Sequence, residues 1–191
     1  MAKNPKDLLG DRRKALEEEF FRKQSEKLRE RLRAQMERKD HRESLALAIG
    51  IRDAAVLDHL VALGLDGQTV AALGLVPLIE VAWADGRMED AEHKAVLAAA
   101  RERGIDDASP AGLLLDSWLS NSPPPRLLEV WTQYVKALSE NLDAAERGTL
   151  RHDVIGRARE VAEAAGGFLG MGSKISQAEQ KMLERLESAF D

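Results

Sequence analysis

Between Asp7 and Lys39 the chain carries no proline and a single glycine, Gly10, and most of its residues are Glu, Lys, Arg, Leu and Ala. All five are strong helix formers, so the run predicts one long helix. Opposite charges spaced four residues apart support it: Arg13 with Glu17, Lys14 with Glu18, Glu18 with Arg22, Glu19 with Lys23 and Arg22 with Glu26, each pair worth about 0.2–0.5 kcal/mol. Leu9, Leu16, Phe20, Leu28, Leu32 and Met36 make a thin apolar stripe, interrupted at Gln24. That stripe does not sustain heptads over the three or four repeats a coiled coil needs. It predicts a solvated helix with one seam for its own domain, a twin or a partner helix.

Charge separates this helix from the rest of the chain. Residues 1–40 hold 13 Lys and Arg against 9 Asp and Glu, out of 28 and 33 in the whole chain. The arm is therefore about +4 and residues 41–191 about −9. The two are read as a charged N-terminal arm, 1–40, and a helical domain, 41–191. The arm's acidic residues cancel most of its field, and only Phe20 and Phe21 could stack on bases, which speaks against nucleic acid.

The domain shows no sustained period-two alternation, and Ala and Leu outnumber Val and Ile. The spacing predicts an all-α fold. Helices are expected at 43–63 with a break near Ile51–Asp53, then 68–74, 76–84, 89–103, 110–119, 125–140, 143–165 and 176–190. Asp143-Ala-Ala-Glu146 and Ser176-Gln-Ala-Glu179 have the capping-box form. Pro77 removes a donor inside the apolar run 70–84, so that run is split in two. Leu63 to Leu73 has a helix-turn-helix rhythm, but the only cations between Asp53 and Leu97 are Arg87 and Lys94. A recognition helix needs more.

The most informative stretch joins an apolar helix ending at Ala84 to an amphipathic helix starting at Glu89 or Asp90, through Asp85-Gly86-Arg87-Met88. Asp85, Gly86, Met88, Glu89 and Glu92 match positions 5, 6, 8, 9 and 12 of an EF-hand loop. Positions 1 and 3 would be Val81 and Trp83, which do not bind cations, so a full EF-hand is excluded. These residues resemble the Ala-Asp-Gly signature of the TerB-like proteins, named for tellurite resistance, whose fold also occurs in a membrane co-chaperone. In that family the signature typically occurs twice. Shifting the sequence by 87 places Arg87, Met88, Ala91, Glu92, Lys94 and Val96 over Lys174, Ile175, Ala178, Glu179, Lys181 and Leu183. The second copy departs at the key positions, where Gly172 stands for Asp85 and Ser176 for Glu89. The resemblance implies a TerB-like bundle of two pseudo-repeats, with signatures at about 76–103 and 154–190, linked to stress response. It also implies a divalent cation, Ca²⁺ or Mg²⁺, on Asp85, Glu89 and Glu92.

No feature points to catalysis. His41, His59, His93 and His152 are scattered, without metal-binding spacing, and the glycine run 166–172 lacks the Gly-Lys-Ser/Thr ending of a phosphate loop. With no cysteine in the chain there is no disulfide, zinc ribbon, iron–sulfur site or thiol nucleophile. Asp53, Asp58, Asp66, Glu80 and Asp85 break up the most apolar third, so no membrane insertion is expected, and the charged N-terminus has no secretory character. The expectation is a cytoplasmic, non-enzymatic binding or scaffold module that requires no cofactor. Its arm would engage a protein partner or a second copy, and the alternative is a cation-responsive regulatory domain built on residues 85–92.

Overall fold

Helix-forming residues without a breaker continue well past the arm, and the helix continues with them. A computed structural model describes residues 5–165 and 175–191, and the side chains of these except 5–18, 20, 21, 24, 25 and 165. Helix α1 runs from Pro5 to Ile49, through the place where two helices were expected, because no glycine or proline intervenes before Gly50. The chain falls into two compact units, Met1–His41 and Arg42–Asp191. Among the described residues there are eight α-helices, two short 3-10 helices and no strand, so the fold is all-α. No described helix is long and apolar enough to cross a membrane.

In the first unit, Lys23 pairs with Glu19 at 2.8 Å and Arg33 with Glu37 at 3.8 Å. The expected pairs involving Arg13, Lys14, Glu17 and Glu18 lie outside the described side chains. Leu28, Leu32 and Met36 are exposed at 58%, 48% and 67% of their surface.

The second unit begins with the last turns of α1, where Leu45 is fully buried. Gly50, at φ 71°, ends the helix, and Asp53 caps α2 (Ala54–Ala62) by accepting the Ala55 and Val56 N–H groups. The break expected near Ile51–Asp53 is there. Residues 70–75 form a 3-10 helix, and α3 (Val76–Ala82) follows at once. Pro77 explains the tightening: it has no N–H to offer the Leu73 carbonyl, which accepts from Val76 instead. Val76, Pro77, Leu78, Ile79, Val81 and Ala82 of α3 are all buried.

The remaining helices are α4 (Asp90–Glu102), α5 (Pro110–Ser120), α6 (Leu127–Ser139), α7 (Ala144–Ala165) and α8 (Gln177–Glu187), closed by a 3-10 turn at Ser188–Phe190. Helix α3 packs against α4, α6, α7 and α8. Helix α7 turns Ile155, Ala158, Val161 and Ala162 inward, a one-sided spacing that lets its backbone lie close to α3 and α4. Trp131 on α6 meets Phe190 edge to face at 6.1 Å, and the Trp83 indole N–H donates to the Trp118 carbonyl at 3.0 Å. Both expected capping boxes form, at Asp143/Glu146 and Ser176/Glu179. The glycine run 166–172 lies outside the described residues.

Ala158 on α7, the helix that packs against both α3 and α4, is fully buried, so Ala158→Leu is expected to lose about 1–3 kcal/mol through overpacking. Leu28→Gln on the exposed arm is expected to stay within about 0.5 kcal/mol. Urea unfolding followed by circular dichroism checks both.

Candidate functional site

The Asp85-Gly86 turn positions the acidic loop. The Gly86 N–H donates to the Trp83 carbonyl at 2.9 Å, and Gly86 takes φ 87°, a left-handed value that a side chain would strain. Asp85 Oδ1 accepts the Arg87 N–H at 2.9 Å, and its other oxygen lies 3.7 Å from the Arg87 guanidinium. Met88 packs against the core. Glu89 is the N-cap of α4, and Glu92 Oε2 accepts the Glu89 N–H at 2.9 Å, which makes a third capping box. Sequence spacing places carboxylates here without revealing the box, because Glu is a rare N-cap.

The three nominated carboxylates therefore have separate tasks. Asp85 is exposed and braces the turn, Glu89 is exposed and starts the helix, and Glu92 is only 3% exposed and points inward. Among the described residues, no group of three or more His, Asp or Glu side chains is placed to hold a metal ion.

What the fold does bring together is Glu92 and Glu179. Each is the third residue of a helix whose N-terminus it caps, Glu92 on α4 and Glu179 on α8, and the two are 3% and 7% exposed. Each spends one oxygen on an N-cap N–H, from Glu89 and Ser176 respectively. Burial above all pushes the Glu92 pKa up to about 7, the Glu89 N–H opposes this, and the nearby Glu179 and Glu89 carboxylates add to it. The sequence offset of 87 aligns these two glutamates without showing that they touch.

A half-buried acid lies nearby in sequence. Glu80 on α3 is likewise raised to about 7, by partial burial, against the pull of Arg185. Elsewhere, His59 Nδ1 lies 2.6 Å from Gln133 Oε1, a tie between α2 and α6. An open surface depression of about 780 Å³ lies along α7 and α8 between Arg159, Glu163, Ser176, Lys181 and Glu184. Comparison with family models, curated proteins and solved structures finds no match to this chain.

The buried acids give the fold a defined pH dependence. Glu80 and Glu92 have folded pKa values near 7 against an ordinary 4.5, so the folded state binds more protons than the unfolded state in between. Their contribution is complete below about pH 4.5 and is lost as pH rises through about 7. The expected melting temperature is thus higher near pH 6 than near pH 8, by the equivalent of about 2–3 kcal/mol. Glu92→Gln keeps an acceptor for the Glu89 N–H and is expected to flatten this slope and raise stability near pH 8. Thermal melts across that range check the sign.

Proposed function

We propose that this protein is a non-enzymatic binding or scaffold module whose N-terminal helix α1 engages a protein partner. The observation that carries the reading is the row Leu28, Leu32 and Met36, three large apolar side chains exposed together on one helix. Solvated helices seldom keep such side chains in a row without an occupant. Around the row the helix is rich in charge, which keeps it soluble when the row is bare. The acidic domain supplies a folded body from which the helix can work, held by a core that runs from Leu45 to Phe190.

The resemblance of 76–103 to TerB-like proteins adds stress response as the setting of this binding role. The His59–Gln133 contact is a packing tie between two helices.

Changing Leu28, Leu32 and Met36 together to Gln in the full chain tests the role. All three are exposed, so the melting temperature is expected to stay within about 2 °C of the parent. Self-association seen by light scattering, or retention of a partner in a pull-down, is expected to fall by about tenfold or more, as loss of three buried apolar groups requires. Equal behaviour of parent and variant in both assays sinks the proposal.

A further inference from the structure

The exposed row on α1 also has a geometry, and the geometry selects its partner. Leu28, Leu32 and Met36 are spaced by four residues. A spacing of four drifts about 40° per step on an α-helix, so the row covers about 80° over about 12 Å. A coiled-coil seam needs an average spacing of 3.5 and does not drift this way. Rows of this kind are the ridges that fit between similar rows of another helix when the two cross at about −50°. The row is built for a short crossing.

Charge then decides what crosses it. Residues 26–39 carry six Lys and Arg against three Glu, a net of +3 around the row. Two copies of the row laid on each other would oppose +3 with +3, which disfavours an arm-on-arm contact. Among the described residues, the other large apolar side chains this exposed are Leu47 and Leu113. Leu47 has a single acidic residue, Glu43, within one helical turn. Leu113 has an acidic surround on the outer face of α5, with Asp116 three residues on and the Asp106–Asp107 turn packed over the first turn of the helix. A Cβ placed on Gly112 would clash with the Asp106 carbonyl oxygen, so that turn lies close against α5. Arg101 beside it pairs with Asp107 at 2.8 Å, so the acidic surround of Leu113 is carried by Asp106 and Asp116. Ser117 and Ser120 complete the outer face and are small enough for another helix to come close.

We propose that the Leu28–Leu32–Met36 row of one copy crosses α5 of a second copy at Leu113, with its basic flanks against Asp106 and Asp116. The inference rests on the binding role proposed for α1 and names its occupant. One crossing buries less than the about 1,200 Å² of a stable interface. Two reciprocal crossings, each copy's row on the other's α5, close a two-fold dimer without leaving a row bare. The contact is accordingly weak and sensitive to salt.

The absence of cysteine from the chain makes the test clean. Full-length Leu32→Cys and Leu113→Cys variants are oxidised separately and as a mixture, and the products are separated without reductant. The expected result is that the mixture gives a covalent dimer about tenfold faster than either variant alone, and that Asp116→Lys in the Leu113→Cys partner slows it about threefold or more, as does about 0.5 M salt. Leu32→Cys alone cross-linking as fast as the mixture would mean arm on arm and would overturn this inference, with the binding role of α1 intact. No cross-link in any combination at about 100 µM protein overturns it too. If the triple Gln variant then still loses a partner in the pull-down, the binding role survives with a different occupant, and if it does not, both fall.

Discussion

The domain depends on burying one very short helix. Helix α3 has seven residues, too few to be stable alone, and six of them are buried apolar side chains. It exists because α4, α6, α7 and α8 enclose it. Pro77 prepares the arrangement: in the first turn its ring costs nothing and its fixed φ suits a helix, while its missing N–H forces the preceding residues into a tighter 3-10 winding. At the other end, Asp85 and Gly86 turn the chain before Trp83, whose indole is already tied to the Trp118 carbonyl, can leave the core. The helices that enclose α3 are thus delivered by turns whose residue types are set by backbone need.

The same packing drives two carboxyl groups into contact. Glutamate at the third position of a helix is favoured by the macrodipole and by the N-cap N–H it accepts. Those local gains hold for Glu92 and Glu179 separately. When α4 and α8 both pack into the core, Glu92 is buried near Glu179 and its pKa rises. Local capping and global packing conflict here. Glu80, half-buried on α3, is pushed the same way by burial.

These two features also mark how far the sequence is legible. Helix positions can be read wherever a named residue forces an end, as Pro77, Asp53, Asp143 and Ser176 do. At the junction near residue 40 the change in net charge falls where the two compact units divide, while the helix runs on because no residue from Asp11 to Ile49 breaks it. The 3-10 winding of 70–75 is hidden because apolar spacing looks alike in both helix types over six residues. At the acidic loop, the residue types of Asp85, Glu89 and Glu92 show a crowded helix start. Their directions do not follow from spacing: Asp85 turns back to the Arg87 N–H, Glu92 turns inward, and the partner of Glu92 lies 87 residues away on another helix. Proximity at that range is created by packing, and no local pattern encodes it.

The arm obeys a different logic, because its side chains answer to solvent. A helix whose exposed face is held by charge pairs such as Glu19–Lys23 gains little from each, because solvent screens them, so those pairs support helicity without fixing a partner. Specificity has to come from the apolar row, and a row with a period of four fits a crossing of limited length. Lengthening such a row would carry it round to the opposite side of the helix and add nothing to the contact. The interruption at Gln24 in the sequence pattern therefore costs a crossing contact little, where it would break a coiled coil. Basic flanks around that row, opposed to an acidic domain, favour contact between unlike parts of the chain over contact between like ones. In the proposed contact, charge separation within one sequence would set the direction of association as well as its strength.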